Sequence, residues 1–378
     1  MVAHVSCYVD PEGRAPQELL ERWPTLTDVA AAAAGDEVEI VVVQAATQDD
    51  VIVHRGVSCH FVADYRRAVY PPGRAVARRR PAELVGKIRE LGPDIVHFHG
   101  LGFIRQAEFI ARLLEDVPIL VQDHCDRPRR RRLIPFGSRR GDGIAAVSFT
   151  SRDQAAPFVA AGHIAPDPLV FEVVESSSWF RPGNQVLARR KTGLYGDPCV
   201  IWVGRLVPRK DPLTVLRAVR HAFPSLRDPQ LWCYYGVAPL LHEVQRRIAG
   251  DSLLTERVHL MGWLPHAQIQ TALQAPDCLM SGSRDEGSGY AVIEAMSCGT
   301  APIVTDIPAL RRITGGGSVG ALVPPGDARA MGNALVTWSR RDRNTMREAV
   351  REYFERELSF EALGRDLRAA YRTLGGAS

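Results

Sequence analysis

The sequence lacks several features that define specialised protein classes. Its 378 residues include seven cysteines but no C-x-x-C pair, so neither a secreted disulfide framework nor a structural zinc site is indicated. No run of about 18 apolar residues occurs, and no membrane-spanning helix is predicted. The first 16 residues have neither the basic region nor the apolar length of a signal peptide. We therefore expect a protein of the reducing cytoplasm.

An excess of charge of one sign is also missing. Lysine and arginine total 47 against 43 aspartates and glutamates, a formal net charge of +4, which does not favour wholesale nucleic-acid binding. With 46% hydrophobic, 24% charged and 7% aromatic residues, the composition is that of an ordinary globular protein. The length favours two domains over one.

Short apolar runs rich in β-branched residues alternate with helical patterns along the whole chain, which predicts parallel sheets with buried strands. A helix is predicted over 27–35, ended by a left-handed Gly35. The predicted strands cover 38–44, 57–63, 94–100, 118–123 and 169–174 in the first half, and 199–204, 231–236, 257–262, 277–282, 301–306 and 320–325 in the second.

The serine-rich segment 175–185, with Pro182 and Gly183, has the composition of a chain crossing between domains. We predict domains over 1–178 and 179–350 and an amphipathic C-terminal helix or helix pair over 351–378. The predicted fold class is α/β, with two Rossmann-like doubly wound parallel sheets facing across a cleft. The C-terminal helix is expected to pack back on the first domain.

The segment 281–305 combines a strand end, a glycine-bearing loop and a helix closed by Gly299. Small residues at 287–289 allow backbone to approach a ligand, and a helix N-terminus there favours an anion such as phosphate. Glu286 and Glu294 are eight residues apart, two helical turns or about 12 Å, so they could bind sugar and ribose hydroxyls of one ligand. The alternative is a solvated loop glutamate and an exposed helix glutamate.

A second segment, 203–216, follows a buried strand with Gly204, Arg205 and Lys210, and Pro212 marks a helix start. Arginine and lysine at a strand end can neutralise a diphosphate. By itself this would be a solvated basic loop. The two segments together favour a diphosphate site.

These motifs carry a family resemblance: EGSGYAVIE (286–294), GRLVPRK (204–210), VHLMGWLP (258–265) and GALVPPGD (320–327). The chain resembles a retaining glycosyltransferase of family 4, with an E-x7-E motif and the two-domain GT-B fold. The resemblance implies transfer of a sugar from a nucleotide diphosphate sugar, with UDP the expected nucleotide.

The resemblance also assigns roles to residues of the second half. Arg205 and Lys210 would hold the diphosphate, Glu294 the ribose, and Glu286 would lie by the transferred sugar. Gly262 and Trp263 would lie near the base, although Trp263 could instead pack in the core. The expected donor-binding residues are Arg205, Lys210, Gly262, Trp263, Glu286, Gly287, Ser288, Gly289, Tyr290 and Glu294.

The first half resembles the family more loosely, through PDIVHFHG (93–100) and VQDHC (121–125). His124 matches a cleft histidine that contacts the donor sugar, and joins Glu286, Arg205 and Lys210 as the expected catalytic residues. The glycine pair common in the family's first loop is missing, and Gly13 would take its place. Gly13, His99 and Arg127 are the expected acceptor-side residues, and the acceptor itself stays open.

A metal site is the competing interpretation of the first half, because His97 and His99 lie on one side of a strand and Asp123, His124 and Asp126 follow another. No additional ligand pair such as H-E-x-x-H supports it, and the resembled family needs no bound metal. We therefore expect no metal and no cofactor other than the donor as co-substrate, with His97 and His99 finishing a buried strand.

Seven arginines and no acidic residue occupy 127–140. This cluster could be solvated, could bind an anionic acceptor, or could contact the inner membrane face peripherally. The expected partners are a nucleotide sugar and an unidentified acceptor, with no nucleic acid. Two other functions remain open: a sugar-nucleotide epimerase of related fold, and a non-catalytic nucleotide-sugar-binding subunit.

Overall fold

The computed structural model describes residues 1–128 and 143–376. The chain divides into two units, one formed by residues 1–176 together with 360–378, the other by residues 177–359. Both units are layered α/β structures with a central sheet covered by helices.

Strands are numbered in chain order. They are β1 (Val2–Ser6), β2 (Ile40–Ala45), β3 (Asp50–His54), β4 (Val57–Val62), β5 (Tyr65–Arg67), β6 (Ala75–Ala77), β7 (Ile95–His99), β8 (Ile119–Gln122), β9 (Ile144–Phe149), β10 (Val170–Glu172), β11 (Cys199–Gly204), β12 (Gln230–Tyr235), β13 (Val258–Gly262), β14 (Cys278–Ser281), β15 (Ala301–Thr305) and β16 (Ala321–Val323).

Helices are numbered in the same way. They are α1 (Pro16–Arg22), α2 (Thr25–Ala33), α3 (Ala82–Leu91), α4 (Ile104–Leu113), α5 (Ala156–Ala160), α6 (Gln185–Thr192), α7 (Pro212–Ala222), α8 (Leu241–Ala249), α9 (Ser252–Arg257), α10 (His266–Gln274), α11 (Tyr290–Ser297), α12 (Pro308–Ile313), α13 (Ala328–Ser339), α14 (Arg343–Glu357) and α15 (Phe360–Gly375).

The sheet of the first unit has the order β10-β9-β8-β7-β1-β2-β4-β3, parallel except for the antiparallel edge strand β3. Its central strands β1 and β7 are buried along their whole length, as expected of strands covered on both faces. In this register His4 lies opposite His97, and Ser6 opposite His99. Two histidines of neighbouring strands therefore meet inside the unit.

The sheet of the second unit has the order β13-β12-β11-β14-β15-β16 and is parallel throughout. The chain winds outward from β11 in one direction through β12 and β13, and in the other through β14, β15 and β16. The order therefore reverses between β11 and β14. At such a point the loops that follow the two strands diverge and leave a crevice for a ligand.

The predicted α/β fold class with parallel sheets is confirmed, and β11 has the predicted bounds 199–204. Three strands of the first sheet, β1, β3 and β9, were not predicted. The predicted left-handed stop at Gly35 is wrong, because α2 ends at Ala33 with an extended Ala34, and Gly35 pairs with Val38 in a bridge.

The domain boundaries differ from the predicted ones. The crossover falls at 176/177 rather than 178/179, and α14 belongs to the second unit, so the C-terminal segment of the first unit begins at 360 and not at 351. The break between α14 and α15 explains this, since the predicted periodicity over 351–378 runs through both helices. Helix α15 belongs to the first unit, where Arg368 donates to the carbonyl of Ala32 at 3.0 Å. Among the helices of the described residues, none is long and apolar enough to cross a bilayer.

Candidate functional site

The expected site residues fall in both units, and each group is described by itself. In the second unit, Arg205, Lys210 and residues 286–289 lie on the loops that follow β11 and β14, the two strands at the reversal of the sheet order. These loops are joined, because the Arg284 amide donates to the Arg209 carbonyl at 2.8 Å and the Arg284 guanidinium contacts Asp211 at 2.6 Å. A Cβ on Gly282 would lie 2.8 Å from the Asp211 carbonyl oxygen, so this close approach requires glycine.

Lys210 and Glu286 form the centre of this group. The Lys210 ammonium lies 2.5 Å from the Glu286 carboxylate, and the Ser283 hydroxyl donates to the same oxygen at 2.7 Å. Glu286 is buried, with 9% of its surface exposed, so its interpretation as a solvated loop residue is wrong. The charge-assisted hydrogen bonds explain how a carboxylate can lie there. A small pocket at the same place is lined by Lys210, Ser283, Glu286 and Gly289 among others.

Helix α11 begins as the glycine loop predicts. Gly289 is its N-cap with φ +78°, and a Cβ there would lie 2.8 Å from Leu310 Cδ2. Gly287 and Ser288 are buried just before it, and Tyr290 is the first helical residue. The positive end of the helix dipole therefore lies beside the Lys210–Glu286 pair, where an anion is favoured. Gly299, with φ +79°, follows the end of this helix.

The two glutamates are not related by two helical turns. Only Glu294 lies in α11, because Glu286 precedes the helix start at residue 290. The Glu294 carboxylate is bonded to His266 at 2.6 Å, and its side chain is 15% exposed. This hydrogen bond raises the pKa of His266, against the opposing effect of partial burial. His266 was not predicted, since 28 residues separate it from its partner and no motif marks it.

The remaining expected donor residues are more exposed. Arg205 is exposed at the end of β11, and Gly262 ends β13 with φ +75°. Trp263 is 72% exposed, so its interpretation as a core residue is wrong. Gly236 approaches the Trp263 ring, with a Cβ position 3.4 Å from Cδ1.

In the first unit, a cavity of about 260 Å³ lies at the ends of β1, β7 and β8. Its lining includes His99 and His124 and the aromatic side chains of Tyr8, Trp23 and Phe103. Gly13 and Arg127 are not among its lining residues in the described part of the chain. Gly13 has φ +72° and its amide donates to the Asp10 carbonyl at 3.0 Å, which forms a tight turn before α1. Arg127 is exposed, and the rest of the predicted arginine cluster, from residue 129 onward, lies outside the described residues.

His124 uses both ring nitrogens inside this unit. Nδ1 is 2.9 Å from the Glu175 carboxylate, and Nε2 is 3.0 Å from Nδ1 of His99. Burial lowers the pKa of His124, but the hydrogen bond and charge of Glu175, with the charges of Asp123 and Asp126, raise it above its ordinary value overall. Glu175 was not predicted as a site residue, although it begins the segment recognised as the crossover.

Asp123 contributes to the negative potential around His124. Burial raises the pKa of Asp123 to about 7, and the charges of Asp126 and Glu175 act in the same direction. The amides of Asp126 and Cys125 donate to its carboxylate at 3.0 and 3.1 Å and oppose the rise. Three acidic residues from two segments thus surround one imidazole.

Among the described residues, a metal-type grouping occurs that the sequence analysis did not find. His4, His97 and His99 are buried, and each offers a ring nitrogen within 4.8 Å of the others. Asp123, His124 and Asp126, which the sequence placed with His97 and His99, are not part of that group. His4 could have been recognised only from the register of β1 against β7.

Comparisons with known proteins relate the second unit to a family and the whole chain to a fold. Residues 185–356, nearly all of the second unit, match the family described as "Glycosyl transferases group 1". The chain is 27% identical over 280 residues to the 2-deoxystreptamine N-acetyl-D-glucosaminyltransferase of Streptomyces fradiae. That match covers 68% of this chain and 66% of the relative, so slightly less than two thirds of the relative's length is spanned.

Solved structures share the fold over the whole chain. Sucrose-phosphate synthase from Thermosynechococcus elongatus is 19% identical, with a TM-score of 0.67 and coverage of 100% of both chains. Anabaena HepE, solved in complex with UDP and glucose, is 15% identical, with a TM-score of 0.65 and coverage of 98% of this chain and 99% of that one. At these identities the likeness is one of fold.

Proposed function

We propose, from the match of residues 185–356 to the group 1 glycosyl transferases, that the protein transfers a sugar from a nucleotide diphosphate sugar to an acceptor hydroxyl, with the anomeric configuration retained. The second unit binds the donor. The observation that carries this proposal is the Lys210–Glu286–Ser283 group, placed at the reversal of the sheet order and beside the glycine-capped start of α11.

The proposed donor contacts are those that the family resemblance implies, and the chemistry of the side chains fits them. Lys210 and Arg205 neutralise the diphosphate and stabilise it as it departs. Glu286 lies by the transferred sugar and keeps Lys210 in place through its ion pair. Glu294 accepts a hydrogen bond from the ribose, and His266 holds its carboxylate in position. UDP is the proposed nucleotide, supported by the fold relative that was solved with UDP.

The proposed reaction needs no protein nucleophile. The acceptor hydroxyl attacks the anomeric carbon on the face that the diphosphate leaves, the glycosidic bond to the diphosphate breaks, and the departing phosphate oxygen takes the hydroxyl proton. Two protein cations supply the compensating charge, so we propose that no bound metal is required. Activity that persists in EDTA, and a product with the donor's anomeric configuration, are the expected results.

The first unit is proposed to bind the acceptor in its cavity of about 260 Å³. Tyr8 and Trp23 offer flat apolar faces, and His124 lies in the same lining, an arrangement that fits a polyhydroxylated ring such as a sugar or cyclitol. The Streptomyces fradiae relative is named for transfer to 2-deoxystreptamine, which is a ring of this kind.

The proposal is tested with a mass-spectrometric screen of UDP-, GDP- and ADP-sugars. Lys210→Ala and Glu294→Ala are expected to lower the transfer rate with the accepted donor at least about 100-fold, by loss of charge and of ribose binding. Lys191→Ala, an exposed lysine on α6 in the same unit, is the matched control and should leave the rate unchanged.

Three outcomes would contradict the proposal. Normal transfer by both variants would show that the donor residues are assigned wrongly. Tight nucleotide binding without turnover would indicate a binding subunit, and an epimerised sugar nucleotide formed without acceptor would indicate an epimerase.

A further inference from the structure

Six buried or half-buried side chains of the first unit form one continuous hydrogen-bonded chain, which we call the histidine chain: Glu175, His124, His99, His4, Tyr371 and His97. Its successive links measure 2.9, 3.0, 3.0, 2.8 and 2.7 Å. From Glu175 it passes through His124 and His99, which line the cavity, and ends at His97 in the core. Tyr371 belongs to α15, the last helix of the chain.

The inner members of the histidine chain are uncharged. Burial lowers the pKa of His4 to about 3 and, with the neighbouring imidazoles, lowers the pKa of His97 and His99 well below the ordinary value. Burial also raises the pKa of Tyr371, so its hydroxyl keeps its proton. Each neutral imidazole has one N–H donor and one acceptor nitrogen.

The carboxylate of Glu175 fixes the direction of every link. Since Glu175 can only accept, neutral His124 carries its proton on Nδ1 and accepts at Nε2. His99 must then donate from Nδ1 and accept at Nε2, and His4 must do the same. Tyr371 donates to His4 and accepts from Nδ1 of His97. All four imidazoles therefore have the Nδ1–H tautomer when His124 is neutral.

A second arrangement appears when His124 is doubly protonated. Its Nε2 then donates to His99, so His99, His4 and Tyr371 must each reverse, and His97 becomes the Nε2–H tautomer. The second arrangement holds one proton more than the first. It is reached when one proton moves along each of the four hydrogen bonds between His97 and His124. Nε2 of His97 and Oε1 of Gln122 are both buried atoms without a well-formed hydrogen bond, and Gln122 is the neighbour that favours protonated His97.

We propose that His99, His4 and Tyr371 are positioning residues that couple the protonation of His124 to the tautomers of the core histidines. The proposal goes beyond the proposed function and is connected to it only through His124, which lines the proposed acceptor cavity. The coupling itself is a property of the free protein. It can therefore fail while the glycosyl transfer holds, or hold while the transfer fails.

Among the residues that the structure describes, the groups that face His124 are Glu175 from the crossover, Asp123 and Asp126 after β8, and His99 from β7. The coupling is measured on the full chain with ¹⁵N-histidine labelling, following tautomers by NMR from pH 5 to 9. We expect His99 and His4 to change from Nδ1–H to Nε2–H at the pH where His124 titrates, although neither takes up a net proton. Separate midpoints, or a single fixed tautomer for His99 and His4, would overturn the proposal.

Two variants separate coupling from a packing role. Tyr371→Phe removes one hydroxyl and leaves the reversed His4 with a buried N–H that lacks an acceptor. The His124 midpoint should then fall by on the order of one pH unit. Glu175→Gln should also lower that midpoint, while the exposed Glu115→Gln control should not. A Tyr371→Phe protein that is less stable but has an unchanged His124 midpoint would contradict the coupling.

Metal analysis of the purified chain provides an independent test, since His4, His97 and His99 are close enough to share an ion. A bound ion would occupy the lone pairs that the histidine chain uses as acceptors. We expect no stoichiometric metal after purification, and unchanged histidine tautomers after addition of Zn²⁺ at the protein concentration. One tightly bound ion per chain would overturn the proposal and assign the group as a metal site.

Discussion

At the scale of single residues, Gly289 shows how closely the start of α11 is packed. Its backbone is left-handed, and a Cβ would lie 2.8 Å from the Leu310 side chain. Gly316 is also left-handed, with φ +67°, but a Cβ there would meet nothing within 4 Å. The two positions therefore separate backbone strain from steric clash.

We predict that Gly316→Ala costs about 1 kcal/mol and Gly289→Ala about 2–4 kcal/mol in the free energy of unfolding, since the second adds a clash to the same strain. Urea unfolding measures both values. Gly289→Ala should also weaken donor binding, because the helix start would shift. Equal stabilities for the two variants would show that Leu310 moves aside without cost.

The raised pKa of Asp123 makes the free energy of unfolding depend on pH. Its pKa is about 7 in the folded chain against 3.8 in the unfolded one, so its stabilising contribution is fully present below pH 3.8 and is lost as the pH rises through 7. Asp123→Asn removes the titrating group.

We therefore predict that the free energy of unfolding of Asp123→Asn, relative to wild type, increases by on the order of 2–4 kcal/mol between pH 4 and pH 8. Denaturant titrations at several pH values measure this difference. The exposed Asp116→Asn is the control, and its difference from wild type should stay flat over the same range. A flat difference for Asp123→Asn as well would mean that this carboxyl is ionised throughout.

At the scale of elements, the contact between α2 and α15 depends on one glycine. A Cβ on Gly364 would lie 1.8 Å from the carbonyl oxygen of Ala32. The Ala32 carbonyl belongs to the helix backbone and cannot move aside as a flexible side chain can. The two helices would therefore have to separate. Gly86, inside α3, has nothing within 4 Å of its Cβ position and is exposed.

We predict opposite effects for the same substitution at these two helix interiors. Gly364→Ala should destabilise the first unit by about 3 kcal/mol or more, through loss of close packing. Gly86→Ala should stabilise it by about 0.5–1 kcal/mol, through helix propensity. Thermal unfolding of both variants tests the pair, and destabilisation by Gly86→Ala would contradict the assignment.

The elements also show what a sequence can and cannot reveal. Strands such as β11 and β15 were predicted because buried parallel strands are continuous apolar runs. The start of α11 was predicted because small residues precede an apolar helical run. β1 was missed because His4 and Ser6 interrupt its apolar run. The hydrogen-bond partners of His4 lie in the distant elements β7 and α15, and Ser6 accepts from the Tyr8 amide.

The residues of the candidate site also fall into those that the sequence predicted and those that it did not. Lys210, Glu286 and Glu294 are carried by local motifs and were named from the sequence. Their partners Ser283 and His266 were not, and of the two partners of His124 only His99 was named, while Glu175 was not. Glu175 is 51 residues from His124, and Tyr371 is 274 residues from His97 and 367 from His4, separations that no local pattern reveals.

At the scale of the whole molecule, the first unit is discontinuous in sequence. Residues 360–378 complete it, and α15 buries Phe360, Leu363, Leu367 and Tyr371. Burial of each such side chain contributes about 1.5–3 kcal/mol, so four together are comparable with the stability of a typical domain.

We predict that a chain ending at Ser359 loses the cooperative structure of the first unit and keeps that of the second. Hydrogen exchange with mass spectrometry would show fast exchange in β1 and β7 and unchanged protection in β11 and β14. The second unit is the internal control. Retained protection of β1 would contradict the importance of α15.

The position of α15 also determines when the protein can finish folding during its synthesis. Residues 177–359 must leave the ribosome before the last helix does, an interval of roughly 10–40 s at about 5–20 residues per second. The unit that is translated second is thus the first that can complete its fold. Until α15 is synthesised, the nascent N-terminal half keeps the apolar surface that α15 covers exposed.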